Sequence, residues 1–206
     1  MERIKPVIGV TGPSGSGKSK FCASLSQRGY LWLDCDRIYH ELISAGTPLT
    51  RELSGPEAFG PSILAPDGSI DRRTLASAVF APGAEDRLIL LNKITHRYVK
   101  LEINRRMRAA AGSGFAGCVI DAPLLFEAGM KKKCDLTVAV LAPLGTRLSR
   151  LKERDRLPED RLLERLAASK DDGWYVRRAD EVIINDGSAE KLEAAADEIA
   201  ARFAKG

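Results

Sequence analysis

With 206 residues, 44% of them hydrophobic and 29% charged, the chain has the length and composition of a single domain with an ample core. Its formal net charge of +4 suits an anionic ligand but is too small for the basic surface of a typical nucleic-acid-binding protein. No apolar run approaches the ~20 residues that span a bilayer, and the four cysteines lack metal-binding spacing, so we expect free thiols and a cytoplasmic protein.

The first predicted element is a β-strand over residues 7–11, which is followed by a glycine-rich loop and a run with helical spacing. The loop matches the P-loop pattern G-x-x-x-x-G-K-S, whose backbone N–H groups and following helix N-terminus bind phosphates. The pattern places Lys18 to reach the β- and γ-phosphates and the Ser19 hydroxyl to bind Mg²⁺. The residues expected to bind ATP are Gly12, Pro13, Ser14, Gly15, Ser16, Gly17, Lys18, Ser19 and Lys20.

Four further apolar or β-branched runs follow, and helical patterns separate them. They cover residues 31–34, 118–121, 136–141 and 181–185. This alternation predicts an α/β fold, a P-loop NTPase three-layer sandwich with a five-stranded, mostly parallel sheet. Ligands of such sheets bind at the carboxyl ends of the strands. The polar residues that follow each run are therefore the candidates for chemistry.

Asp34 and Asp36 come at the end of the second run, on the side of the sheet where we expect the P-loop. A carboxylate there could accept or orient the proton of a hydroxyl acceptor while a phosphoryl group moves. Either residue could instead cap the helix that we expect to begin near Arg37. We favour Asp34 as the functional carboxylate because it lies nearer the strand end.

Residues 37–113 are too many for a simple connection between the second and third strands. Helix starts are predicted at Asp71 and near Ala84, and apolar residues recur at three- and four-residue steps over 84–111. We expect an inserted helical subdomain within a single domain of residues 1–206. In a phosphotransferase, this subdomain would hold the acceptor.

Asp121 ends the third run and resembles a Walker B residue, which holds Mg²⁺ directly or through water. Its alternative role as a helix cap is less attractive, because Pro123 disfavours a helical conformation at Ala122.

Residues 144–170 form an arginine-rich segment that we expect to be a helical lid, with Pro158 opening its second helix. Interleaved acidic residues could simply pair with most of the arginines at the surface. A closing lid could also use arginines to neutralise the transferring phosphoryl group and exclude water. We expect one or two to be functional and favour Arg154 among Arg147, Arg150, Arg154, Arg156, Arg161 and Arg165.

The combination of an α/β core, a helical insertion and an arginine lid is typical of a small-molecule kinase. A GTPase switch would carry an Asn-Lys-x-Asp motif, whereas the nearest string, residues 92–95, lacks the aspartate. A non-catalytic ATP-binding switch is the alternative from another class, but it would have no need of Asp34, Asp121 or the lid arginines.

Several motifs, taken in order over residues 7–187, resemble the dephospho-CoA kinase family. The P-loop is widely shared, but the other strings are more specific in this order. They include Asp34-x-Asp36-x-Ile38-x-His40, Leu91-Asn92-x-Ile94-x-His96 and Asp121-x-Pro123-Leu124-Leu125-Phe126-Glu127.

The resemblance implies ATP- and Mg²⁺-dependent phosphorylation of the ribose 3′-hydroxyl of dephospho-CoA, the last step of coenzyme A biosynthesis. It implies that Asp34 is the general base and that Lys18 and Arg154 stabilise the transferring group. We expect Asp34, His40 and Asp121 at the acceptor and Ser19 with Asp121, the latter through water, at the metal. Another nucleoside- or nucleotide-type kinase is the alternative within the class. We expect no nucleic-acid or membrane partner, and a monomer or weak homo-oligomer.

The chain departs from the family pattern in its loop and lid. Pro13-Ser14 replaces the usual Gly-Ile, and Lys20 stands where threonine is common. Because backbone N–H groups do most of the phosphate binding, we expect nucleotide binding to persist although Pro13 has no N–H. Leu163 and Ser169 replace a frequent arginine and glutamine, and these changes bear on lid closure and adenine contacts.

Overall fold

The sheet and helices are seen in a computed structural model that describes residues 4–155, 157–187 and 189–204. Strands β1 to β5 are Val7–Thr11, Tyr30–Asp34, Gly117–Asp121, Leu136–Leu141 and Glu181–Ile184. Helices α1 to α9 of these residues are Lys18–Gln27, Cys35–Leu42, Pro48–Leu53, Arg72–Val79, Glu85–Ala109, Leu144–Asp155, Glu159–Ala167, Asp172–Val176 and Ala189–Ala204. Short 3-10 turns lie at Pro61–Ile63 and Lys131–Lys133.

The five strands form one sheet in the order β2-β3-β1-β4-β5, and every neighbouring pair is parallel. Because parallel strands all run in one direction, their carboxyl ends lie along the same edge of the sheet. Asp121 at the end of β3 is the register partner of Asp34 on β2 and of Val10 on β1. The sheet therefore places Asp34 and Asp121, two of the predicted functional residues, side by side at the ends of neighbouring strands.

Both faces of the sheet are covered, as parallel sheets require. β4 is buried along its whole length, and its side chains alternate between the two faces. Val138 and Val140 belong to a core that includes residues of α1 and α9, among them Phe21 and Leu192. On the other side lie Ala139, Leu141 and Tyr175, with Phe126, Trp174 and Val182 packed against them. The predicted three-layer α/β architecture is confirmed.

The described chain divides into two compact units. One comprises the residues up to Asp34 and from Met107 onward, and it contains the sheet, α1 and α6 to α9. The other, Cys35–Arg106, contains α2, α3, α4 and all but the last three residues of α5. It has a core of its own, made of Ile43, Leu49, Leu53, Phe59, Ile63, Ile70, Leu75, Val79 and Ile94.

Local sequence signals placed most helix ends within a few residues. The long helix expected over 84–111 is α5, Glu85–Ala109, and Asp71 caps α4 by accepting a hydrogen bond from the Arg73 N–H at 2.9 Å. Pro158 stands at the cap of α7, one residue before the helix. The helix expected to begin near Arg37 is α2, which begins two residues earlier at Cys35, so Asp36 lies in its first turn rather than at its cap.

Among the described residues, no helix combines the length and the apolar character that a membrane span needs.

Candidate functional site

The glycine-rich loop connects β1 to α1, so it lies at the carboxyl edge of the sheet and at a helix N-terminus. Gly12 has φ of +139°, and a Cβ there would lie 2.1 Å from the carbonyl oxygen of Val140 on β4. Glycine is required because any side chain would strike the neighbouring strand. Gly17 precedes α1 and has no side chain to cap the helix. The first backbone N–H groups of α1 can therefore donate hydrogen bonds to a bound anion.

Lys18 is folded back onto the loop. Its ammonium donates a hydrogen bond to the Pro13 carbonyl at 3.2 Å, and the Ser16 N–H donates to the same oxygen at 3.3 Å. Pro13 cannot donate but its carbonyl accepts, so the proline in the loop contributes an acceptor for the lysine. The structure therefore places the ammonium of Lys18 against the backbone of the loop.

Ser19 and Asp121 meet although they lie far apart in the chain. The Ser19 hydroxyl donates a hydrogen bond to Asp121 Oδ2 at 3.2 Å. Asp121 is only 4% exposed, and Asp34 on β2 is its register partner. A hydroxyl and a carboxylate are the oxygen donors that Mg²⁺ uses together with water and phosphate. Within the described ranges, no cluster of three or more His, Cys, Asp or Glu side chains is arranged to hold a metal.

The charged groups near the start of α1 affect the pKa of the Cys22 thiol. Burial raises its pKa well above the usual range, and the carboxylate of Asp121, which also bonds the thiol, raises it further. Asp34 acts in the same direction, whereas the ammonium of Lys18 opposes them. Cys22 is therefore a neutral thiol.

Two arginines of α6 bind the outer face of the loop backbone. Arg147 is 6% exposed, and its Nε donates to the Ser14 carbonyl at 3.0 Å. Nη1 of Arg150 donates to the carbonyls of Gly15 at 3.3 Å and Ser16 at 3.4 Å. Burial lowers the pKa of Arg147, because desolvation disfavours its charge.

Arg154 lies one turn further along α6 and is more exposed. Its Nε and Nη2 donate to the two carboxylate oxygens of Asp155 at 2.6 and 3.0 Å, and Arg165 of α7 donates to Oδ2 at 2.8 Å. The hydrogen bond from Arg154 lowers the pKa of Asp155, and the positive charges of Arg154 and Arg165 lower it further. Arg154 lines a cleft of about 160 Å³ next to the loop. The other residues that line this cleft are Gly15, Gly17, Lys18, Ser19, Lys20, Arg150 and Leu151.

The remaining predicted residues have simpler surroundings. His40 is exposed on α2, in the unit Cys35–Arg106, and its ring lies 6.0 Å from that of Tyr39. Arg161 pairs with Glu164 on the surface of α7 at 3.1 Å, as the alternative interpretation of the arginines expected. Arg156 lies outside the described residues.

Sequence reasoning missed the residues that hold the loop from outside. Arg147, Arg150 and Arg154 recur at steps of three and four residues, which places all three on one helix face and does not distinguish the two that bind the loop. Asn185 directly follows β5, at the carboxyl edge of the sheet where functional polar residues are expected. A single asparagine at such a position forms no sequence motif that would indicate its contact with the loop. The Asn185 amide donates to the Ser16 carbonyl at 2.7 Å.

The chain is similar in sequence and in fold to known proteins. A sequence model of the family described as dephospho-CoA kinase matches residues 6–191. The dephospho-CoA kinase of Corynebacterium glutamicum is 40% identical over 196 residues, which are 95% of this chain and 96% of that protein. The crystal structure of TT1252 from Thermus thermophilus superposes with a TM-score of 0.75 at 32% identity, covering 98% of both chains. Dephospho-CoA kinase from Campylobacter jejuni shares the fold, with a TM-score of 0.68 at 22% identity over 98% of this chain and 99% of that one.

Proposed function

Since the chain belongs to the dephospho-CoA kinase family, we propose how its residues transfer the ATP γ-phosphoryl group to the ribose 3′-hydroxyl of dephospho-CoA. The products are coenzyme A and ADP. The family assignment establishes an ATP-dependent kinase that phosphorylates a hydroxyl group. The observation that carries the assignment of roles is the convergence of Lys18, Ser19 and Asp121 at the glycine-rich loop.

The loop and Lys18 bind the triphosphate. Backbone N–H groups of the loop and the N-terminus of α1 donate to phosphate oxygens. The ammonium of Lys18, which bonds the Pro13 carbonyl at 3.2 Å, turns to the β- and γ-phosphates when ATP binds. Its charge offsets the negative charge that spreads over the transferring group.

Ser19 and Asp121 hold Mg²⁺, the latter through water. Their hydrogen bond of 3.2 Å supports this, because it brings a hydroxyl and a buried carboxylate to one point beside the phosphate loop. A bound Mg²⁺ would supply positive charge against the phosphate oxygens. Ser19 and Asp121 would fix the position of that ion beside the phosphate loop.

Asp34 accepts the proton of the acceptor hydroxyl as the oxygen attacks the γ-phosphorus. Its position at the end of β2, in register with Asp121, supports this role over that of Asp36, which lies in the first turn of α2. The bond from phosphorus to the bridging oxygen of ADP breaks while the new bond to the 3′-oxygen forms.

The acceptor and the lid complete the proposal. The helical unit Cys35–Arg106, with His40 on α2, holds dephospho-CoA. Helices α6 and α7, which pack through Leu148, Leu151, Leu162 and Leu166, form the lid. Arg154 lines the cleft beside Lys18 and offers a guanidinium to the transferring phosphoryl group.

We propose that this enzyme works in the cytoplasm. It would act as a monomer or weak homo-oligomer and would bind no nucleic acid. Its four free cysteines support a reducing compartment. The modest net charge of +4 supports small anionic substrates rather than a nucleic acid.

A coupled ADP-release assay tests the function. The full-length protein is incubated with ATP and Mg²⁺ and with dephospho-CoA, adenosine, cytidine or uridine as acceptor. We expect strong stimulation by dephospho-CoA alone. Stimulation by a nucleoside instead would keep the mechanism and replace the acceptor. Tight ATP binding without turnover on any acceptor would indicate a non-catalytic switch.

A further inference from the structure

Asn185 joins the last strand of the sheet to the phosphate loop. It follows β5 directly and is 3% exposed, and its N–H donates to the Leu141 carbonyl at 2.7 Å. Its side-chain Nδ2 donates to the Ser16 carbonyl at 2.7 Å, while its Oδ1 accepts from Nη2 of Arg150 at 3.1 Å. A Cβ on Gly17 would lie 2.2 Å from Nδ2, so the loop approaches this amide as closely as glycine permits.

Two arginines of α6 act on the same stretch of backbone. Arg147 donates to the Ser14 carbonyl, and Arg150 donates to the carbonyls of Gly15 and Ser16. Three consecutive carbonyls of the loop therefore each accept a hydrogen bond from a side chain outside it. We call these side chains the outer clamp: Arg147, Arg150 and Asn185.

The planarity of the peptide bond gives the outer clamp a consequence for phosphate binding. In a trans peptide, the carbonyl of one residue and the N–H of the next point in opposite directions. Fixing the carbonyls of residues 14, 15 and 16 on one side therefore directs the N–H groups of residues 15, 16 and 17 to the other. The N–H of residue 16 does point away, since it reaches the Pro13 carbonyl at 3.3 Å.

We propose that Asn185 is a positioning residue for nucleotide binding, acting through the peptide between Ser16 and Gly17. By holding the Ser16 carbonyl, it keeps the next N–H aimed at the phosphates before nucleotide arrives. Without this bond the loop must order that peptide at the expense of binding free energy. The proposal rests on the proposed function in one respect, that the glycine-rich loop binds ATP.

The substitution Asn185→Asp isolates the bond to the loop. Aspartate has nearly the same shape and keeps an acceptor for Arg150, but it replaces the donor to the Ser16 carbonyl with a second acceptor. We expect the Kd for ADP, measured by calorimetry, to rise about tenfold, the scale of an unsatisfied buried polar group. The KM for ATP should rise similarly, with the KM for dephospho-CoA unchanged and kcat lowered less than about threefold, because phosphate contacts serve ground state and transition state alike.

Thr137→Val provides the matched control. Thr137 is 1% exposed, and its hydroxyl donates to Asp180 Oδ2 at 2.6 Å. This bond lies at the amino ends of β4 and β5, whereas Asn185 follows the carboxyl end of β5. Loss of the Thr137 bond disturbs the same pair of strands without touching the loop. We expect a lower Tm and an unchanged Kd for ADP. A Kd raised equally in both variants would show a general effect of destabilisation and overturn the proposal.

The remaining outcomes separate this proposal from the proposed function. ADP binding needs no acceptor, so the absence of ADP binding by the unaltered protein would refute the nucleotide site itself. ADP binding by folded Asn185→Asp within about twofold of the unaltered protein would refute the role of Asn185 alone. If that variant does not fold, Asn185→Ala, which removes the same donor to the Ser16 carbonyl without placing a carboxylate there, decides the role of Asn185. A raised Kd for ADP supports it and an unchanged one refutes it.

Discussion

Asp34 and Asp36 stand two residues apart, yet they belong to different elements of the structure. Asp34 is the last residue of β2 and the register partner of Asp121. Asp36 is exposed in the first turn of α2, where its charge favours the helix N-terminus. Two residues that are only two positions apart in sequence therefore lie in different places, Asp34 at the carboxyl edge of the sheet and Asp36 on the surface of a helix.

Asp34→Asn is expected to lower kcat by about 10²-fold or more, because the amide cannot take the proton of the acceptor hydroxyl. The Kd for ADP should stay unchanged, since the phosphate contacts lie elsewhere. Steady-state kinetics with dephospho-CoA and calorimetry with ADP measure the two effects. Asp36→Asn is the matched comparison and should have a much smaller effect on kcat. An Asp34→Asn variant with nearly normal turnover would contradict the general-base role.

Helix α5 shows how the arrangement of one element sets a titration. Glu102 accepts hydrogen bonds from Arg105 at 2.7 Å and from Arg106 at 2.7 Å, three and four residues along the same helix. Arg106 also binds Glu41 of α2 within the helical unit. These contacts lower the pKa of Glu102 to about 2, with the hydrogen bond from Arg105 as the largest cause.

Glu102→Gln is expected to destabilise the protein by about 1 kcal/mol at pH 7, less than the full pKa shift implies because solvent screens an ion pair near the surface. The pKa of Glu102 is lower in the folded state than its ordinary value of about 4.3, so its stabilisation is present above that pH. The stabilisation disappears as the pH falls through about 2.

Urea unfolding of both proteins from pH 7 to pH 2 measures this difference. Glu153→Gln on α6 is the control, because Glu153 is exposed and has no ion pair in the part of the chain that the structure describes. Its effect should be within about 0.5 kcal/mol of zero. A difference for Glu102→Gln that does not shrink toward pH 2 would contradict the ion-pair explanation.

At the scale of the whole molecule, the nucleotide site belongs to the unit that holds the sheet, and binding should stabilise it. With ADP at a hundred times its Kd, linkage adds about 2.7 kcal/mol to the free energy of unfolding. For a chain of this length, that corresponds to a rise in Tm of about 5 to 10 °C. Calorimetric or fluorescence melting with and without ADP measures it.

Lys18→Ala should abolish turnover and most of the thermal shift, since it removes the ammonium that the loop holds at 3.2 Å from the Pro13 carbonyl. Lys132→Ala is the matched control, because Lys132 is exposed in a short 3-10 turn away from the loop. It should melt and turn over like the unaltered protein. A Lys18→Ala variant with nearly normal kcat would refute the phosphate-binding role of this lysine.

The sequence by itself determined what depends on local patterns. The glycine-rich loop has fixed spacing, the strands are short apolar runs with turn residues between them, and α5 has a regular apolar period. Asp34 and Asp121 were identified because each is the last residue of such a run. The boundary of the helical insertion was less certain, with 37–113 expected and Cys35–Arg106 observed as a separate unit, because a boundary is a property of packing.

Only the tertiary structure decided which distant residues meet. Ser19 and Asp121 are 102 positions apart, and Asn185 and Ser16 are 169 apart, yet both pairs form hydrogen bonds. Strand order and register bring them together, and these depend on how the sheet packs as a whole. An asparagine or arginine that binds a backbone carbonyl leaves no periodic trace in the sequence. The outer clamp therefore follows only from the tertiary structure, in which Asn185 after β5 and two arginines of α6 bind the loop.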